Sequence, residues 1–551
     1  MRRILIIGGV AGGASAATRA RRLDEHAQIT MIERGPYVSF ANCGLPYYVS
    51  REIETVDELL LETPASFYHR FGVEVLTERE VTWIDVENRV AESILRTTGE
   101  STRHHYDELI LAPGARPILP KIKGQDSSGV FQLRTVPDAV RLRDYLESTA
   151  VHHAVVLGSG FIGLEMAEAF GKRGIPVTLI DKAPQILTPV DRELAQYFSD
   201  RIQDQKIHIR LQDTIQEISS RKVYLQSGQE LAADAVVLAL GVRPDLQLAQ
   251  DMGFKLGVSG AIWVDSAMHT SKPHVYAAGD AVEKRDLVTG QAAWWPLAGV
   301  ANKEGRVAGT NAVGGQATLK GALGTAIVRV DPYTIAVTGL TEKTARMRDV
   351  SYQVIYTIKG HHASYYPGSQ DLFAKILFNP ANGRILGAQV AGRNGVDKRI
   401  DVLSTAISAQ MSVEQLGELD LAYAPPFGAA KDSLTITGMA AENLRNGLIQ
   451  GITPQKLHQW LRDSGKLPLE LMLRDPDEIQ ETGGIGDFIS VPLDGLRQNL
   501  SRVPSNERAL VVYCRSGHRS YVAARMLLQH GYEKVYNLVG GITAWQAHVA
   551  S

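Results

Sequence analysis

Cysteine is almost absent. Two residues in 551, Cys43 and Cys514, cannot make a disulfide framework, so the chain reads as a cytoplasmic protein in which each thiol needs its own explanation. An excess of either charge is missing as well: 60 Asp and Glu against 58 Lys and Arg leave a net charge of −2, which gives no footprint for nucleic acid or for an anionic membrane surface. No run of about 18 apolar residues occurs, so no transmembrane helix is expected. The opening MRRILIIGGVAGG has the look of an export signal, but its apolar stretch, residues 4–7, is cut short by Gly8, Gly9, Gly12 and Gly13. It reads better as a buried strand entering a tight turn. No metal is expected. What the chain has in quantity is length, enough for several cores, and glycine, 51 residues in all, above the usual share of about 7%.

A strand followed by G-x-G-x-x-G and a helix brings backbone amides and a helix N-terminus to a pyrophosphate, and an acid about 20 residues on takes the ribose hydroxyls. The pattern occurs twice. The cleaner copy runs from a strand at 154–157 through Gly158, Gly160 and Gly163 into a helix from Leu164 to about Arg173, and ends in the strand VTLID at Asp181. The earlier copy follows the strand 4–7 with GGVAGG. It keeps Gly8 and Gly13 but has Val10 at the second glycine; its helix runs to about Leu23, and the strand QITMIE ends in Glu33. One such turn is common in α/β proteins, whereas two predict a pair of dinucleotide-binding units.

LILAPGARP (109–117) and VYAAGDAVE (275–283) add strand-then-glycine segments, with Gly114 and Gly279, of the kind that close over a flavin nucleotide. With these four motifs in order, residues 1–445 resemble the two-dinucleotide flavoprotein disulfide reductases. The resemblance implies that the first unit holds FAD, that Asp280 serves the ribityl chain, and that the inserted second unit holds the nicotinamide nucleotide. Asp181 favours NADH, because a carboxylate there bonds a 2′-hydroxyl and repels a 2′-phosphate. Lys182 and Arg173 nearby leave room for some NADPH use.

Relatives with an internal dithiol carry C-x-x-x-x-C, whereas SFANCGLPYY sets Tyr48 five places after Cys43, so no dithiol shuttle runs through this segment. A lone thiolate facing a flavin can cycle as a sulfenic acid or as a mixed disulfide. The Cys43 loop enters a helix, whose dipole is expected to depress the thiol pKa below its free value of ~8.5. SFANCGLPYY resembles the coenzyme A disulfide reductase branch. That implies coenzyme A beside Cys43, with contacts from Arg19, Arg22, Ser39, Asn42, Asn302 and Arg306. For Arg19 a solvated helix face is the better reading, and Phe71, with Arg70 alongside, stands where a phosphate-binding Lys is expected.

Residues 321–446 alternate β-rich runs (GTAIVRV, TIAVTGL, LFAKILF, ILGAQVAG) with a helix around 398–410. They resemble the family's interface domain, which implies a homodimer. Tyr365 and Tyr423 would then reach the cysteine of the other subunit and, as phenols protonated near neutrality, donate to a leaving thiolate. Core packing is the competing reading, and the better one for Tyr366. Beyond a boundary near 446–455, ALVVYCRSGHRSYVAARML sets Cys514 at a strand end before an amphipathic helix, an arrangement suited to thiolates and anions. The segment resembles a rhodanese domain, its C-x-x-x-x-R spacing being one residue shorter than in the related phosphatases. The resemblance implies that Arg515 and Arg519 stabilise a persulfide anion and that Gly517 allows the tight turn. Leu473 and GGIGDF depart from the usual opening of such a domain.

The expected molecule is α/β: two Rossmann-like dinucleotide-binding domains (FAD on 1–115 with 242–320, NADH on 116–241), an α+β dimerisation domain (321–446), a linker (447–455) and a C-terminal α/β rhodanese domain (456–551). The resemblance implies an FAD enzyme that uses NADH to reduce coenzyme A disulfide, coenzyme A persulfide or polysulfide, with Cys514 carrying sulfane sulfur. Two other readings stay open. One is an NADH oxidase or peroxidase that cycles Cys43 through sulfenic acid; the other is a non-catalytic, redox-sensing sulfur carrier.

Overall fold

A computed structural model of the chain describes residues 1–203, 207–463, 469–473, 476–486, 488–504 and 508–549. Arg474, Asp475 and Asp487, part of the atypical stretch noted in the sequence, lie outside the described residues. The chain divides into two compact units, residues 1–184 with 206–324 and residues 185–205 with 325–551.

The first unit holds two five-stranded sheets built on one plan. One has the order Val275–Ala277, Glu108–Leu111, Arg3–Ile7, Gln28–Ile32, Val73–Leu76. The other has Ile207–Leu211, Val177–Asp181, Ala154–Leu157, Ala235–Leu238, Val130–Phe131. All pairings in both are parallel. Short Ile, Leu, Val and Ala runs suit strands covered on both faces, and Ala154–Leu157 is buried throughout. In each sheet the middle strand passes through a glycine turn into a helix, Ala11–Leu23 or Phe161–Lys172. This is the switch point at which an open parallel sheet leaves a crevice for ligand. The second helix begins at Phe161 rather than Leu164, with Gly160 as its N-cap. Helix Ala11–Leu23 also crosses helix Ala298–Ala312 backbone to backbone: a Cβ on Gly305 would stand 2.1 Å from Gly12 O, and one on Gly309 2.3 Å from Ala16 O.

The second unit contains an antiparallel sheet in the order Ala326–Val330, Tyr333–Gly339, Ile385–Gly392, Asp371–Phe378, Gln353–Gly360, with helices Val396–Ser408 and Ser433–Arg445. Helix Arg192–Ile202, expected in the NADH domain, groups here instead. It packs Tyr197 against Phe373 of this sheet, and Lys375, fully buried, meets Asp191 at 2.8 Å, Glu193 at 3.3 Å and Glu342 at 2.7 Å, as a buried charge must be paired. The segment 447–455 also differs from the expected linker. Gln450–Ile452 is the edge strand of a parallel sheet that continues with Val535–Leu538, Leu510–Tyr513, Leu469–Met472 and Phe488–Ser490. Three residues with one buried side chain are too few to show a strand period. Among the described residues no helix is long and apolar enough to cross a membrane.

Candidate active site

The two glycine turns are held in the same way. Gly8 N–H donates to Ile32 O and Gly158 N–H to Ile180 O, both at 2.8 Å. Both glycines have positive φ, 100° and 111°, and a Cβ on them would stand 2.0 Å from Ala112 O and 2.2 Å from Ala239 O, so only glycine fits. Gly13 and Gly163 repeat the pattern: their Cβ would lie 1.8 and 1.9 Å from the carbonyls of Gly8 and Gly158. Around Gly160 the space is open to 4 Å, which leaves the helix N-terminus free to approach a phosphate. Glu33 accepts from Gly9 N and Gly35 N, each at 2.8 Å. Asp181 accepts from Ser159 N at 2.7 Å, Ser159 Oγ at 2.6 Å and Ala183 N at 2.9 Å. Gly114 and Gly279, with φ of 76° and 85°, turn the two flanking segments. These cradles fit two dinucleotides.

Cys43 stands exposed on the turn Asn42–Gly44 that leads into helix Leu45–Ser50. Three charged groups act on it. Arg134 pairs with Asp280 at 3.4 Å, and its carbonyl accepts Asn42 Nδ2 at 3.1 Å. The Asp280 carbonyl accepts Trp294 Nε1 at 2.8 Å. Glu165 comes from the first turns of helix Phe161–Lys172. Desolvation, then the Glu165 and Asp280 charges, push the Cys43 thiol up, with Arg134 opposing them. This corrects the expected depression. The helix after Cys43 has only six residues, and its dipole is outweighed by lost water and two carboxylates. Desolvation and Glu168 in turn push Glu165 up to about 7, which lets it hold or release a proton near neutrality. Sequence reasoning missed both Glu165 and Arg134. The available sign for Glu165 was a carboxylate two places after Gly163, in the helix that follows the glycine turn; Arg134 belongs to no motif.

The residues implied for coenzyme A fall in two groups within the first unit. Ser39 (φ 45°) and Asn42 flank the thiol. The others line the crossing of helices Ala11–Leu23 and Ala298–Ala312: Ser15 Oγ donates to Asn302 Oδ1 and Arg19 Nε to Thr310 Oγ1, both at 2.9 Å, while Arg22 and Arg306 are exposed. Arg19 is thus half-buried and anchored, not a bare solvated face. Arg22 lies over the Phe71 ring at 5.6 Å, so the ring holds a cation where a lysine was expected; Arg70 pairs with Glu62 at 2.7 Å.

In the second unit the Tyr365 and Tyr423 hydroxyls are 2.7 Å apart, and both side chains are exposed, Tyr365 at 73%. Their loops are pinned beneath. Ala363 N donates to Gly428 O at 2.8 Å, and the buried Arg399 donates to His361 O at 2.7 Å while pairing with Asp432 at 2.6 Å. Tyr366, expected to pack in the core, is exposed as well and meets His362 only edge-on.

Cys514 is 1% exposed at the end of strand Leu510–Tyr513. Gly517 N–H donates to its Sγ at 3.2 Å and Ser520 Oγ at 3.6 Å, with helix His518–Gln529 starting behind. Arg515 pairs with Asp371 at 2.9 Å, and Arg519 is bidentate to Glu478 at 2.6 and 2.7 Å, so both guanidiniums are already matched to carboxylates.

Two dinucleotide cradles around a single thiol, with a second thiol in an amide-lined loop, define a pyridine-nucleotide reductase joined to a sulfur-handling domain. Residues 2–305 match the family model for pyridine nucleotide-disulphide oxidoreductase, 325–434 its dimerisation domain, and 453–548 the rhodanese-like domain. The chain belongs to the pyridine nucleotide-disulphide oxidoreductase family and is an NAD(P)H-dependent flavoprotein reductase with a C-terminal rhodanese domain. It is similar to the NAD(P)H coenzyme A polysulfide/persulfide reductase of Pyrococcus horikoshii, 35% identical over 79% of this chain and 97% of that protein. Among solved structures it is similar to reduced Bacillus anthracis CoADR-RHD (39% identity, TM-score 0.96, 100% of this chain and 98% of that one). A second is the NAD-dependent persulfide reductase from A. fulgidus (37%, TM-score 0.91, 98% of this chain and 100% of that one).

Proposed function

We propose that the protein is a homodimeric FAD enzyme that uses NADH to reduce coenzyme A persulfide, polysulfide or coenzyme A disulfide at Cys43, while Cys514 carries sulfane sulfur. The observation that carries this reading is the single thiol Cys43 placed among Arg134, Asp280 and Glu165, with no second cysteine in its unit. FAD, when bound, supplies a two-electron link between nicotinamide and thiol. The Cys43 thiolate attacks the inner sulfur of a coenzyme A persulfide; the S–S bond breaks, hydrosulfide leaves with the electron pair, and a Cys43–coenzyme A disulfide forms. The hydride of NADH and one further proton then return both sulfurs to thiols. Glu165 holds or releases a proton at its carboxyl as the charge on Cys43 changes. Arg19, Arg22, Asn302 and Arg306 receive the phosphates and adenosine of coenzyme A, and Asp181 selects NADH. Tyr365 and Tyr423 donate to the leaving thiolate of the second copy.

The test is anaerobic NADH oxidation with coenzyme A disulfide, coenzyme A persulfide and polysulfide, beside separate runs with oxygen and peroxide. Turnover should be fastest with a sulfur acceptor. Faster turnover with oxygen or peroxide, without any coenzyme A, replaces this reading with the oxidase one.

A further inference from the structure

Gly279 is the hinge on which Asp280 turns. It stands just beyond strand Val275–Ala277 and opens the single turn Gly279–Ala281 with φ of 85°, a conformation that suits glycine, the residue with the most backbone freedom. Both of its peptide groups are held from outside the turn. Glu304 Oε2 accepts Gly279 N–H at 2.8 Å, and Lys284 Nζ donates to Gly279 O at 2.5 Å and to Val282 O at 3.0 Å. The two side chains pair with each other at 3.0 Å, each only 2% exposed.

The groups that hold the turn are themselves anchored. Glu304 belongs to helix Ala298–Ala312, and its neighbour Gly305 meets the first glycine helix backbone to backbone, a Cβ there standing 2.1 Å from Gly12 O. Lys284 lies on the short strand Lys284–Arg285, paired with Ala292–Ala293; the next residue, Trp294, donates from Nε1 to Asp280 O at 2.8 Å. The backbone of Asp280 is thus fixed on both sides, and its carboxylate faces Arg134 at 3.4 Å. A buried ion pair adds little net stability, because desolvation of both charges offsets their attraction. What three bonds to one turn do supply is position.

We infer that Lys284 and Glu304 are positioning residues of the first nucleotide cradle: through the two peptide groups of Gly279 they aim the Asp280 carboxylate at the ribityl chain of FAD. This rests on the reading that FAD lies in that cradle with Asp280 at its ribityl chain. The pair acts through Asp280. Without it Gly279 is free to turn, the carboxylate turns with it, and a directional bond from a ribityl hydroxyl loses its alignment.

The test measures how tightly the holoprotein retains FAD, as a dissociation constant from the flavin fluorescence released on dilution. Lys284→Met removes the donor to both carbonyls at similar side-chain length. Desolvation pushes Glu304 up to about 7, so in that variant its carboxyl takes a proton instead of standing as a bare buried charge. Lys284→Met combined with Glu304→Gln removes both charges and keeps an acceptor for Gly279 N–H. Each form should weaken retention about tenfold, the loss expected for one charge-assisted bond, and Asp280→Ala should weaken it at least as much. The decisive reading is their combination. Because the pair acts through Asp280, adding either form to Asp280→Ala should weaken retention by less than about twofold more. Losses that multiply, or wild-type retention in both Lys284 forms, overturn the inference. Wild-type retention in Asp280→Ala is a different failure: it removes the placement of Asp280 at the ribityl chain, and the role of the pair with it.

Discussion

At Cys43 the neighbouring charges act on the proton of the thiol, and the sign of each effect can be measured. The Cys43 pKa is raised above the ordinary thiol value, while Glu165 titrates near 7, so Glu165 is ionised throughout the range in which the thiol loses its proton. Glu165→Gln removes a like charge and should move the midpoint of Cys43 alkylation to lower pH; Arg134→Gln should move it to higher pH. Both are read from alkylation rate against pH in a Cys514→Ser background. A Glu165→Gln midpoint that stays put would mean that the Glu165 charge does not reach the thiol. In the second cradle, Asp181 is the acid on which the proposed choice of NADH rests, so Asp181→Ala should narrow the gap between NADH and NADPH; wild-type protein that prefers NADPH would contradict the assignment of the acid. The glycines were legible in the sequence because a tight turn dictates them locally, through φ and steric approach, and Asp181 because it ends the strand that follows the turn and its helix. Glu165 and Arg134 were not, because their effect on Cys43 depends on distances set by tertiary packing.

Elements show the same division between local and distant causes. The parallel strands 4–7 and 154–157 and their glycine turns were readable as continuous apolar runs between loops. Helix Arg192–Ile202 follows the NADH-binding strands in the chain, yet three carboxylates around Lys375 tie its N-terminal end to the second compact unit, a link that no local pattern announces. Those carboxylates hold Lys375 above the ordinary lysine value in spite of its burial. Lys375→Ala would leave Asp191, Glu193 and Glu342 without their shared cation, a change expected to cost about 3–5 kcal/mol at neutral pH, measured by denaturant unfolding. The sign with pH follows from Asp191, whose folded pKa is depressed. Its stabilisation is present above the unfolded carboxylate pKa and is lost as pH falls, so the deficit of the variant should shrink on acidification. A deficit below about 1 kcal/mol at pH 7 would show that water or protons replace the ammonium at little cost.

For the whole molecule the decisive fact is that its two thiols lie in different compact units, Cys43 in the first and Cys514 in the second, with surroundings that suit different work. Cys43 is exposed between two nucleotide cradles and a titrating carboxylate; Cys514 is enclosed by amides, with both loop arginines paired to carboxylates. Loss of each should therefore break a different step. Cys43→Ser removes the only thiol of the reductase unit, so anaerobic reduction of both coenzyme A disulfide and coenzyme A persulfide should fall by more than about a hundredfold, as removal of an essential nucleophile does, while NADH still bleaches the flavin absorbance. Cys514→Ser leaves that path intact. Reduction of free coenzyme A persulfide should survive, whereas sulfur transfer from thiosulfate to cyanide and the use of polymeric sulfur donors should drop. Stopped-flow flavin spectra and sulfide release, followed on both variants with the same persulfide, distinguish the outcomes. If the two variants lose persulfide reduction equally, sulfur must enter through Cys514 before it reaches Cys43, and direct loading of Cys43 is wrong.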